Sequence, residues 1–451
     1  MVAEKNKESC LASFFKRLNA DASIKRGLTL KVLQISTEDN TGGASRSAYR
    51  LHQVMLQQNV DCDMRVLTHE TANSRVIAGR APRSFQQKVQ ARLEQKIREF
   101  SNRKWHTDNP IVHSFGHQSA GIVNELNGSS AEVLNLHWIP KLLSINDIGQ
   151  LQKPIVWTLH DMWPFCGGEH YTPDFAEARF RLGYLEGNRP ATERGPDLNR
   201  QAWEAKRLAW RNQNFVFVSP SLWMAECVQT SALFRDQKIS SHVIANPLDT
   251  EHVWHPIPKL AARQLLGLAP DKKYLLAGSA GGMAHNKGED FLPQLMAQLE
   301  GVAPGAIELL IFGRYQPLPT EQWPCKVHWL GSVRDDSVMA TIYSAADVMI
   351  VPSRQDNLPN TAVEAQACGT PVAAFNLGGL PDIVDHEKTG WLAPPFEVEA
   401  MAKGVLWMLQ DAERIAMLSS QSRALALERY SPAVVVQQYC KVYDEALRKR
   451  R

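Results

Sequence analysis

Short apolar runs alternate along the chain with helix-length segments that are apolar on one face only. Several of the runs are apolar on both faces, which is typical of parallel strands covered by helices on each side. The pattern predicts first-half strands at residues 30–36, 64–68, 111–115, 133–139, 155–160, 215–219 and 242–245. It predicts second-half strands at residues 274–277, 307–312, 327–330, 348–351, 371–375 and near 391–392. Strands separated by helices form βαβ units, so we predict an α/β chain with two doubly wound, Rossmann-like parallel sheets facing across a cleft.

The stretch at residues 245–249 contains Asn, Pro and Asp, and it separates the two sets of strands. Such turn-forming residues mark a domain boundary. We predict an N-terminal Rossmann-like domain at residues 28–246 and a C-terminal one at residues 247–430. The polar start, residues 1–27, is predicted to be a flexible arm. Residues 431–451 carry apolar side chains at helical spacing, which predicts a terminal helix that packs back on the N-terminal domain.

The composition excludes several classes of protein. With 44% hydrophobic residues among 451, the chain can bury a core, which excludes intrinsic disorder. A net charge of +3 gives no reason to expect a nucleic-acid partner. The seven cysteines form no CxxC pair, and the sequence has no apolar run as long as a bilayer-spanning helix. Because the start also lacks the apolar core of a signal peptide, we expect a cytoplasmic location.

Ligands of open α/β sheets bind outside the carboxyl ends of the strands, so the loops at those ends are candidate sites. The loop after the first predicted strand contains Gly42 and Gly43, just before a predicted helix. Glycines at a helix start bring backbone N–H groups and the positive end of the helix dipole close to a ligand, which suits a phosphate. A tight strand-to-helix turn is the alternative interpretation. The loop lacks the GxGxxG of nicotinamide-binding proteins.

Two histidines stand at the carboxyl ends of neighbouring predicted strands. His137 is followed by Trp138, and His160 is followed by Asp161 and then Trp163. A histidine in such a position faces the cleft, an adjacent carboxylate can hold one tautomer, and a wide aromatic ring suits a sugar. We therefore expect His160, Asp161 and the two tryptophans on the acceptor side of a site. Either histidine, taken alone, has a structural role as its alternative.

A second glycine-dense loop spans residues 277–288 and contains Lys287 just before a predicted helix. A lysine in this context can act as a point charge on a phosphate. The alternative is an ordinary surface lysine.

The polar loop after the strand at 348–351 contains Asp356, and Glu364 follows after seven intervening residues, inside a helix predicted to begin at Asn360. One carboxylate can accept two hydroxyl groups, so Asp356 is a candidate to hold a hexose and Glu364 a ribose. Between the two acids, the backbone N–H groups of Asn360, Thr361 and Ala362 would face a diphosphate at the helix start, and Asn357 is a further candidate donor-binding residue.

This region resembles a known family. Pro352-Ser353 and the run from Glu364 to Val372, with GGLPDIV at residues 378–384 behind them, are similar to the retaining GT-B glycosyltransferases of family 4. That family builds polysaccharides and glycolipids from nucleotide sugars. The resemblance covers about residues 30–430, and residues 157–168 are similar to a subgroup associated with exopolysaccharide synthesis.

The resemblance implies a role for four residues. Glu364 matches a glutamate that binds the nucleotide ribose, and Asp356 matches an acid that binds the donor sugar. Lys287 matches a lysine that binds the diphosphate, and His137 a histidine that contacts the sugar near the reacting carbon. The resemblance also implies retention of configuration, with the acceptor hydroxyl attacking from the face of the leaving group. In that mechanism His137 orients the sugar.

Two departures from the family pattern matter. The acid at Asp356 is usually a glutamate, so its reach is shorter here. The arginine expected about five residues before Lys287 is Gly282 in this sequence; either Arg314 replaces its charge or the donor binds weakly.

No metal or cofactor is predicted besides the nucleotide-sugar co-substrate. Lys287, the helix start at Asn360 and the Gly42–Gly43 loop would stabilise the charge on the departing diphosphate without a metal. Asp61-Cys62-Asp63 has the DxD spacing of metal-dependent glycosyltransferases, but it precedes a predicted strand, and we interpret it as surface turn residues.

A basic segment bears on the acceptor. Residues 80–104 carry eight basic and two acidic side chains, and their apolar residues fall on one helical face. A basic amphipathic helix suits an anionic membrane surface, so we expect a peripheral contact through residues 83–104 on the inner face of the membrane. The expected acceptor is a hydroxyl of a saccharide or of a lipid-linked molecule. An ordinary packed helix with a solvated face is the alternative.

Two other functions fit the same architecture. A nucleotide-sugar 2-epimerase lacks an acceptor, and the long aromatic loop at residues 157–171 favours transfer over epimerisation. A non-catalytic nucleotide-sugar-binding protein is the third hypothesis, which Gly282 in place of the arginine encourages.

Overall fold

Two parallel sheets form the framework of the chain. The computed structural model describes residues 30–82, 103–278, 285–314, 316 and 322–450. The predicted arm at residues 1–27, most of the basic segment 83–104 and the position of Gly282 lie outside these described residues. Both sheets belong to one compact unit of the chain.

The first sheet has the order β3-β2-β1-β4-β5-β6-β7, with every neighbouring pair parallel. Its strands are β1 Lys31–Ile35, β2 Asp61–Val66, β3 Val76–Ala78, β4 Val133–Leu136, β5 Ile155–Thr158, β6 Phe215–Ser219 and β7 Ser240–Val243. The second sheet has the order β10-β9-β8-β11-β12-β13 and is also parallel. Its strands are β8 Lys273–Gly278, β9 Ile307–Phe312, β10 Val327–Gly331, β11 Val348–Val351, β12 Val372–Phe375 and β13 Gly390–Ala393. The predicted fold class is confirmed.

Helices connect the strands. In the first half they are α1 Gly42–Gln57, α2 Val123–Gly128, α3 Ile145–Gly149, α4 Arg179–Leu182, α5 Leu198–Ala209 and α6 Leu222–Gln229. In the second half they are α7 Lys259–Leu265, α8 Leu292–Val302, α9 Asp336–Ala345, α10 Asn360–Ala367, α11 Val398–Leu409, α12 Ala412–Tyr430 and α13 Pro432–Arg450. Short 3-10 helices lie at Glu186–Asn188, His285–Lys287, Glu289–Phe291 and Leu380–Asp382. Among the described helices, none is both long and apolar enough to cross a membrane.

The predicted strand at residues 111–115 is wrong. Its backbone pairs with the loop after β5 instead of a sheet, because Ser114 N–H donates to the Gly168 carbonyl and His170 N–H donates to the Val112 carbonyl. The apolar pattern could not distinguish a sheet strand from a segment that holds a loop. Conversely, β3 was not predicted, because two of its three residues, Ile77 and Ala78, are exposed and give no apolar run.

The DxD residues do not form a turn, which corrects the prediction from sequence. Asp61 and Asp63 lie inside β2, where alternate side chains share one face. Both carboxylates pair with Arg75, and Asp63 is also 3.4 Å from Lys31 Nζ. The pair is therefore part of a surface charge network.

The terminal helix α13 packs across the first sheet, against β4, β5 and β6. Tyr443 is fully buried, and its hydroxyl accepts hydrogen bonds from Gln34 Nε2 and Asn135 Nδ2, at 3.2 and 2.9 Å. One turn earlier, the Tyr439 hydroxyl lies 3.1 Å from Thr158 Oγ1. Because buried polar groups need partners, these hydrogen bonds fix where the helix sits on the sheet.

A buried lysine orders the loop that follows β5. Lys206, on α5, is completely buried, and its ammonium donates to the carbonyl oxygens of Trp163, Cys166 and Gly167. The same group lies 3.8 Å from the centre of a Trp163 ring. Three carbonyls and a π face replace the water that the ammonium loses, so α5 sets the path of residues 163–167.

Replacing Lys206 by Met is expected to lower the free energy of unfolding by about 3 kcal/mol, because three buried carbonyls lose their donor. Urea unfolding at neutral pH measures the change. Lys403→Met is the matched control, since Lys403 also lies on a helix but is exposed and pairs with Glu399 on the surface. A Lys206→Met variant as stable as the control would contradict this account of the loop.

Buried histidines make stability depend on pH. Burial lowers the pKa of His52, His113 and His160 to about 4 each, and that of His137 well below its usual range. An unfolded histidine has a pKa near about 6.5, so between these values the unfolded chain binds more protons. The contribution of these histidines to the free energy of unfolding is therefore fully present above about pH 6.5. It falls as the pH drops toward about 4, by up to about 1.4 kcal/mol per pH unit for each histidine.

Urea unfolding at pH 7, 6 and 5 tests this slope. His52→Leu is expected to make the slope shallower by one histidine's share, whereas replacing the exposed His69 by Gln leaves it unchanged. Equal slopes in the two variants would show that burial of His52 does not govern its protonation.

Candidate functional site

The candidate site residues lie where each sheet reverses its strand order. In the first sheet the reversal falls between β1 and β4, and in the second between β8 and β11. At such a point adjacent loops leave in opposite directions and open a crevice beyond the carboxyl ends of the strands. His137 directly follows β4, and Gly42 and Gly43, which were expected in the loop after β1, are the first two residues of α1. Lys287 lies in the loop after β8, and Asp356 in the loop after β11.

A small pocket lies at the carboxyl ends of β4 and β5. It has room for about one water molecule, about 10 Å³. Its walls include all the residues predicted on the acceptor side together with both strand-end histidines, namely His137, Trp138, His160, Asp161 and Trp163. The structure thus brings this group together, while the roles assigned to its members stay predictions.

The two histidines contact each other. His137 Nδ1 lies 2.9 Å from His160 Nε2, and the rings are stacked with centroids 5.2 Å apart. The other nitrogen of His137, Nε2, lies 2.5 Å from Gln34 Oε1. Both ring nitrogens of His137 are therefore engaged inside the protein, whereas His160 is partly exposed in the pocket.

His170 is a pocket residue that the sequence analysis missed. Its Nδ1 lies 2.5 Å from Asp161 Oδ2, and its Nε2 lies 2.9 Å from Ser114 Oγ. Trp138 Nε1 also lies 3.2 Å from His170 Nδ1. The sequence did offer a signal, because a further histidine follows in the same aromatic loop. Asp161 thus pairs with His170 rather than with the adjacent His160. The side chains of consecutive residues in a loop usually point in different directions, so adjacency in the sequence does not imply contact.

On the second sheet, Lys287 and Asp356 form an ion pair. Lys287 Nζ lies 2.6 Å from Asp356 Oδ2, and Asp356 is almost completely buried. Gly288 makes this approach possible, because its φ is +65° and a Cβ there would overlap the carbonyl oxygen of Pro352. Ser353 Oγ also lies 3.3 Å from the same carboxylate oxygen. A cation and an acid that were predicted to contact neighbouring parts of one ligand therefore lie side by side.

The carboxylate of Glu364 is bound by side chains from two helices, one packed on each sheet. Its Oε1 accepts from Arg50 Nη1 at 2.6 Å, and its Oε2 accepts from the Tyr343 hydroxyl at 2.9 Å. Arg50 comes from α1 of the first sheet, pairs also with Asp336 at 3.2 Å, and lies over the Trp254 ring. Burial opposes the charge on Arg50, but the two carboxylates raise its pKa, so the guanidinium stays charged. Sequence analysis missed Arg50, which lies on the buried face of its helix and has no motif of its own.

The helix start at Asn360 lies against the first glycine loop. Asn360 Nδ2 donates to the Gly43 carbonyl at 3.2 Å, and its Oδ1 accepts from Ser47 Oγ at 3.1 Å. The two segments predicted to face a phosphate, Gly42–Gly43 and Asn360–Thr361, therefore meet at one place. Asn357 is used differently, because its amide donates to the Leu159 carbonyl at 2.8 Å and accepts from Ser221 Oγ at 2.7 Å.

Arg314, the candidate to replace the missing arginine, pairs with Glu289 at 2.8 Å and lies over the Trp329 ring. Its charge is therefore balanced by an acid two residues beyond Lys287. Glu289 is close to Lys287 in the sequence. That Arg314 contacts a diphosphate bound at Lys287 stays a prediction.

The arrangement presents two acids, one lysine and a helix start on one side, with histidines and tryptophans on the other. Carboxylates accept sugar hydroxyls, an ammonium and backbone N–H groups neutralise an anion, and imidazole nitrogens orient a hydroxyl. The Tyr171 hydroxyl donates to the His160 carbonyl, and burial together with the nearby Asp356 and Asp161 carboxylates raises its pKa. Such a site can bind a charged, hydroxyl-rich ligand.

Comparison with known proteins bears on the second sheet first. Residues 275–411 match the family described as Glycosyl transferases group 1, and this segment contains Lys287, Asp356 and Glu364. A D-inositol 3-phosphate glycosyltransferase of Thermobispora bispora is 30% identical over 220 residues, which is 46% of this chain and 51% of that protein. One from Xylanimonas cellulosilytica is 32% identical over 46% of this chain and 52% of its own length. The chain thus spans about half the length of these curated relatives.

Solved structures match nearly the whole chain. Sucrose-phosphate synthase from Thermosynechococcus elongatus superimposes with a TM-score of 0.60 at 16% identity, covering 93% of this chain and 100% of that one. Anabaena HepE in complex with UDP and glucose gives 0.59 at 15% identity, with 92% and 100% covered. At these identities the likeness concerns the fold alone. The chain therefore has the GT-B type of fold, and its second sheet with the adjoining loops carries a Glycosyl transferases group 1 domain.

Proposed function

We propose that this protein is a retaining, metal-independent glycosyltransferase that moves a hexose from a nucleotide-diphosphate sugar to a hydroxyl of a saccharide or lipid-linked acceptor. The observation that carries the proposal is the Lys287–Asp356 pair, with Glu364 behind it on α10, inside a segment of the Glycosyl transferases group 1 type. These groups lie at the strand-order reversal of the second sheet, opposite the histidine pocket of the first.

In the proposed donor complex, Glu364 accepts the two ribose hydroxyls. Its oxygens are now bonded to Arg50 and Tyr343, so the ribose must share them or displace Arg50. A carboxylate has about four lone-pair directions, which leaves room for two further donors. Donor binding is therefore expected to be sensitive to Arg50, although Arg50 belongs to the other sheet.

The diphosphate is proposed to lie between Lys287 and the helix start at Asn360–Thr361, with the Gly42–Gly43 loop on its other side. Lys287 would exchange Asp356 for the phosphate, which frees Asp356 to accept hydroxyls of the hexose. An ammonium and a helix N-terminus both stabilise the negative charge that develops as the sugar–phosphate bond breaks. Arg314 could add a second positive charge by leaving Glu289.

In the proposed transfer, the bond from the anomeric carbon to the phosphate oxygen breaks, and a bond to the acceptor oxygen forms on the same face. The acceptor proton passes to the departing phosphate oxygen, so the step needs no separate base. His137 acts in orienting the sugar and contacts His160, which lines the acceptor side together with Trp138, Asp161 and Trp163. The pocket at the carboxyl ends of β4 and β5 has room for about one water molecule, so the loops that line it must move apart before a substrate can enter.

Two observations bear on the acceptor class. Relatives named D-inositol 3-phosphate glycosyltransferase act on a small polar acceptor by their name, and the basic segment at residues 83–104 instead suits a peripheral membrane contact. Both fit a hydroxyl acceptor, and HepE solved with UDP and glucose makes UDP-glucose the first donor to try.

A thermal-shift screen with UDP-, GDP- and ADP-sugars tests donor binding, because a ligand that binds the folded state raises Tm by mass action. We expect one nucleotide class to raise Tm, and Glu364→Gln to weaken that donor at least about tenfold, because an amide accepts fewer hydroxyls. Glu308→Gln is the matched control: Glu308 is a buried acid of the same sheet that pairs with His328 and Lys326. A Glu364→Gln variant that binds donor as the control does would remove Glu364 from the site.

Replacing Lys287 by Met is expected to lower kcat by about a hundredfold or more, because a positive charge is lost from the departing diphosphate. Lys326→Met is the control, since Lys326 also pairs with an acid of the second sheet. Product analysis with and without acceptor reads out the reaction. A sugar epimer formed without acceptor would indicate an epimerase, and donor binding with neither transfer nor hydrolysis would indicate a binding protein.

A further inference from the structure

A chain of hydrogen bonds runs from the terminal helix to the pocket. Tyr443 on α13 accepts from Gln34 Nε2, Gln34 Oε1 lies 2.5 Å from His137 Nε2, and His137 Nδ1 lies 2.9 Å from His160 Nε2. Gln34, His137 and Tyr443 are all buried, so water does not compete for these contacts. His160 ends the chain, and it is the member that is partly exposed in the pocket.

The orientation of the Gln34 amide sets the direction of the chain. Its nitrogen faces Met55 Sδ at 3.3 Å as well as the Tyr443 hydroxyl, which itself accepts from Asn135. In this orientation the Tyr443 hydroxyl accepts from both amides and keeps its own hydrogen directed at Met55 Sδ, 3.8 Å away. A flipped amide would place its oxygen against that sulfur, which has no hydrogen to donate, and would take the hydrogen of Tyr443 for itself. In the structure the amide oxygen faces His137, and an oxygen can only accept.

The accepting Gln34 oxygen then fixes which nitrogen is the donor in the rings of His137 and His160. Because Gln34 Oε1 accepts, His137 must carry its proton on Nε2, which leaves Nδ1 as an acceptor. His137 Nδ1 can accept only if His160 carries its proton on Nε2. Neutral His160 is then left with an unprotonated Nδ1, which makes no hydrogen bond to the residues that the structure describes.

We propose that Gln34, anchored by Tyr443 of the terminal helix, is a positioning residue that acts through His137 to keep His160 as the tautomer whose bare Nδ1 accepts a hydrogen bond from a sugar hydroxyl. The inference rests on the proposed function for the identity of the hydroxyl. The tautomer itself follows from the network and holds whether or not a sugar binds.

This assignment explains why the side chain of Gln34, a polar residue, points from the middle of β1 toward His137. A buried amide needs partners for both its ends, and here one end is supplied by the helix and the other by the imidazole. The other tautomer of His160 would present an N–H to the pocket, which can donate but cannot accept. The terminal helix therefore decides the hydrogen-bonding character of the pocket.

Nitrogen-15 NMR of the full-length protein, labelled on histidine, tests the tautomer without any ligand. A His160→Gln variant identifies the signals of His160. We expect His160 at neutral pH to show a protonated Nε2 and an unprotonated Nδ1. A protonated Nδ1, or a mixture of both tautomers, in the wild type would overturn the proposal.

Two pairs of variants test whether Gln34 and Tyr443 set the tautomer of His160. Gln34→Met removes the acceptor at nearly constant volume, and is expected to give mixed tautomers at His160 and roughly tenfold lower kcat at little changed donor KM. Gln366→Met is its control, because Gln366 is equally buried but bonds Ile383 and Thr389 in the second sheet. Tyr443→Phe is expected to change the same signals in the same direction but less, while Tyr439→Phe, one turn away, leaves them as in the wild type.

The outcomes separate this inference from the proposed function. If the wild type binds no nucleotide sugar, yet shows the expected tautomer and loses it in Gln34→Met, the proposed function is contradicted and the role of Gln34 in setting the His160 tautomer stands. If the wild type transfers sugar, and Gln34→Met changes neither the tautomer nor kcat, the role of Gln34 is overturned and the proposed function stands. If Gln34→Met does not fold, the wild-type spectrum and Tyr443→Phe still decide the question.

Discussion

The buried ion pair between Arg50 and Glu364 is the contact on which the arrangement of the site depends. It joins α1, which begins with Gly42 and Gly43, to α10, which carries the proposed ribose-binding acid. An ion pair of this kind adds little net stability, because desolvation offsets the attraction, but removing one partner typically costs about 3–5 kcal/mol. The pair therefore disfavours every arrangement of the two sheets that leaves one of these charges buried and unpaired.

Other contacts reinforce the same arrangement. Asn357 bonds the Leu159 carbonyl of the first sheet, and Gly379 lies so close that a Cβ there would overlap the Asn357 carbonyl oxygen. Gln355 donates to the Thr172 carbonyl at 2.8 Å. The loop that carries Asp356 is thus fixed from both sides. In the proposed complex, a donor that displaces Arg50 from Glu364 would loosen a contact that now joins the two sheets, which connects ligand binding to their relative motion.

Much of the framework could be predicted from the sequence, for a definite reason. Strands β9 and β11 have the predicted bounds because their residues are buried on both faces and, apart from Glu308, apolar, and turn residues flank them. The segment at residues 111–115 has a similar apolar content but pairs with a loop, and hydrophobicity does not encode the partner. Helix α10 begins at Asn360 as predicted, because a proline immediately precedes it.

The sequence by itself determined which residue types stand at the carboxyl ends of the strands, because the order of strands and loops is a property of the chain. Acids, a lysine and histidines in those loops could therefore be identified without coordinates. Only the tertiary structure decided their partners: Glu364 with Arg50, His170 with Asp161, and His160 with the terminal helix through Gln34 and His137. Arg50 and Glu364, and likewise Gln34 and Tyr443, stand hundreds of positions apart in the sequence and meet only when both sheets and the last helix are packed. The strength of a hydrogen bond or ion pair then depends on the distance between its atoms and on their burial.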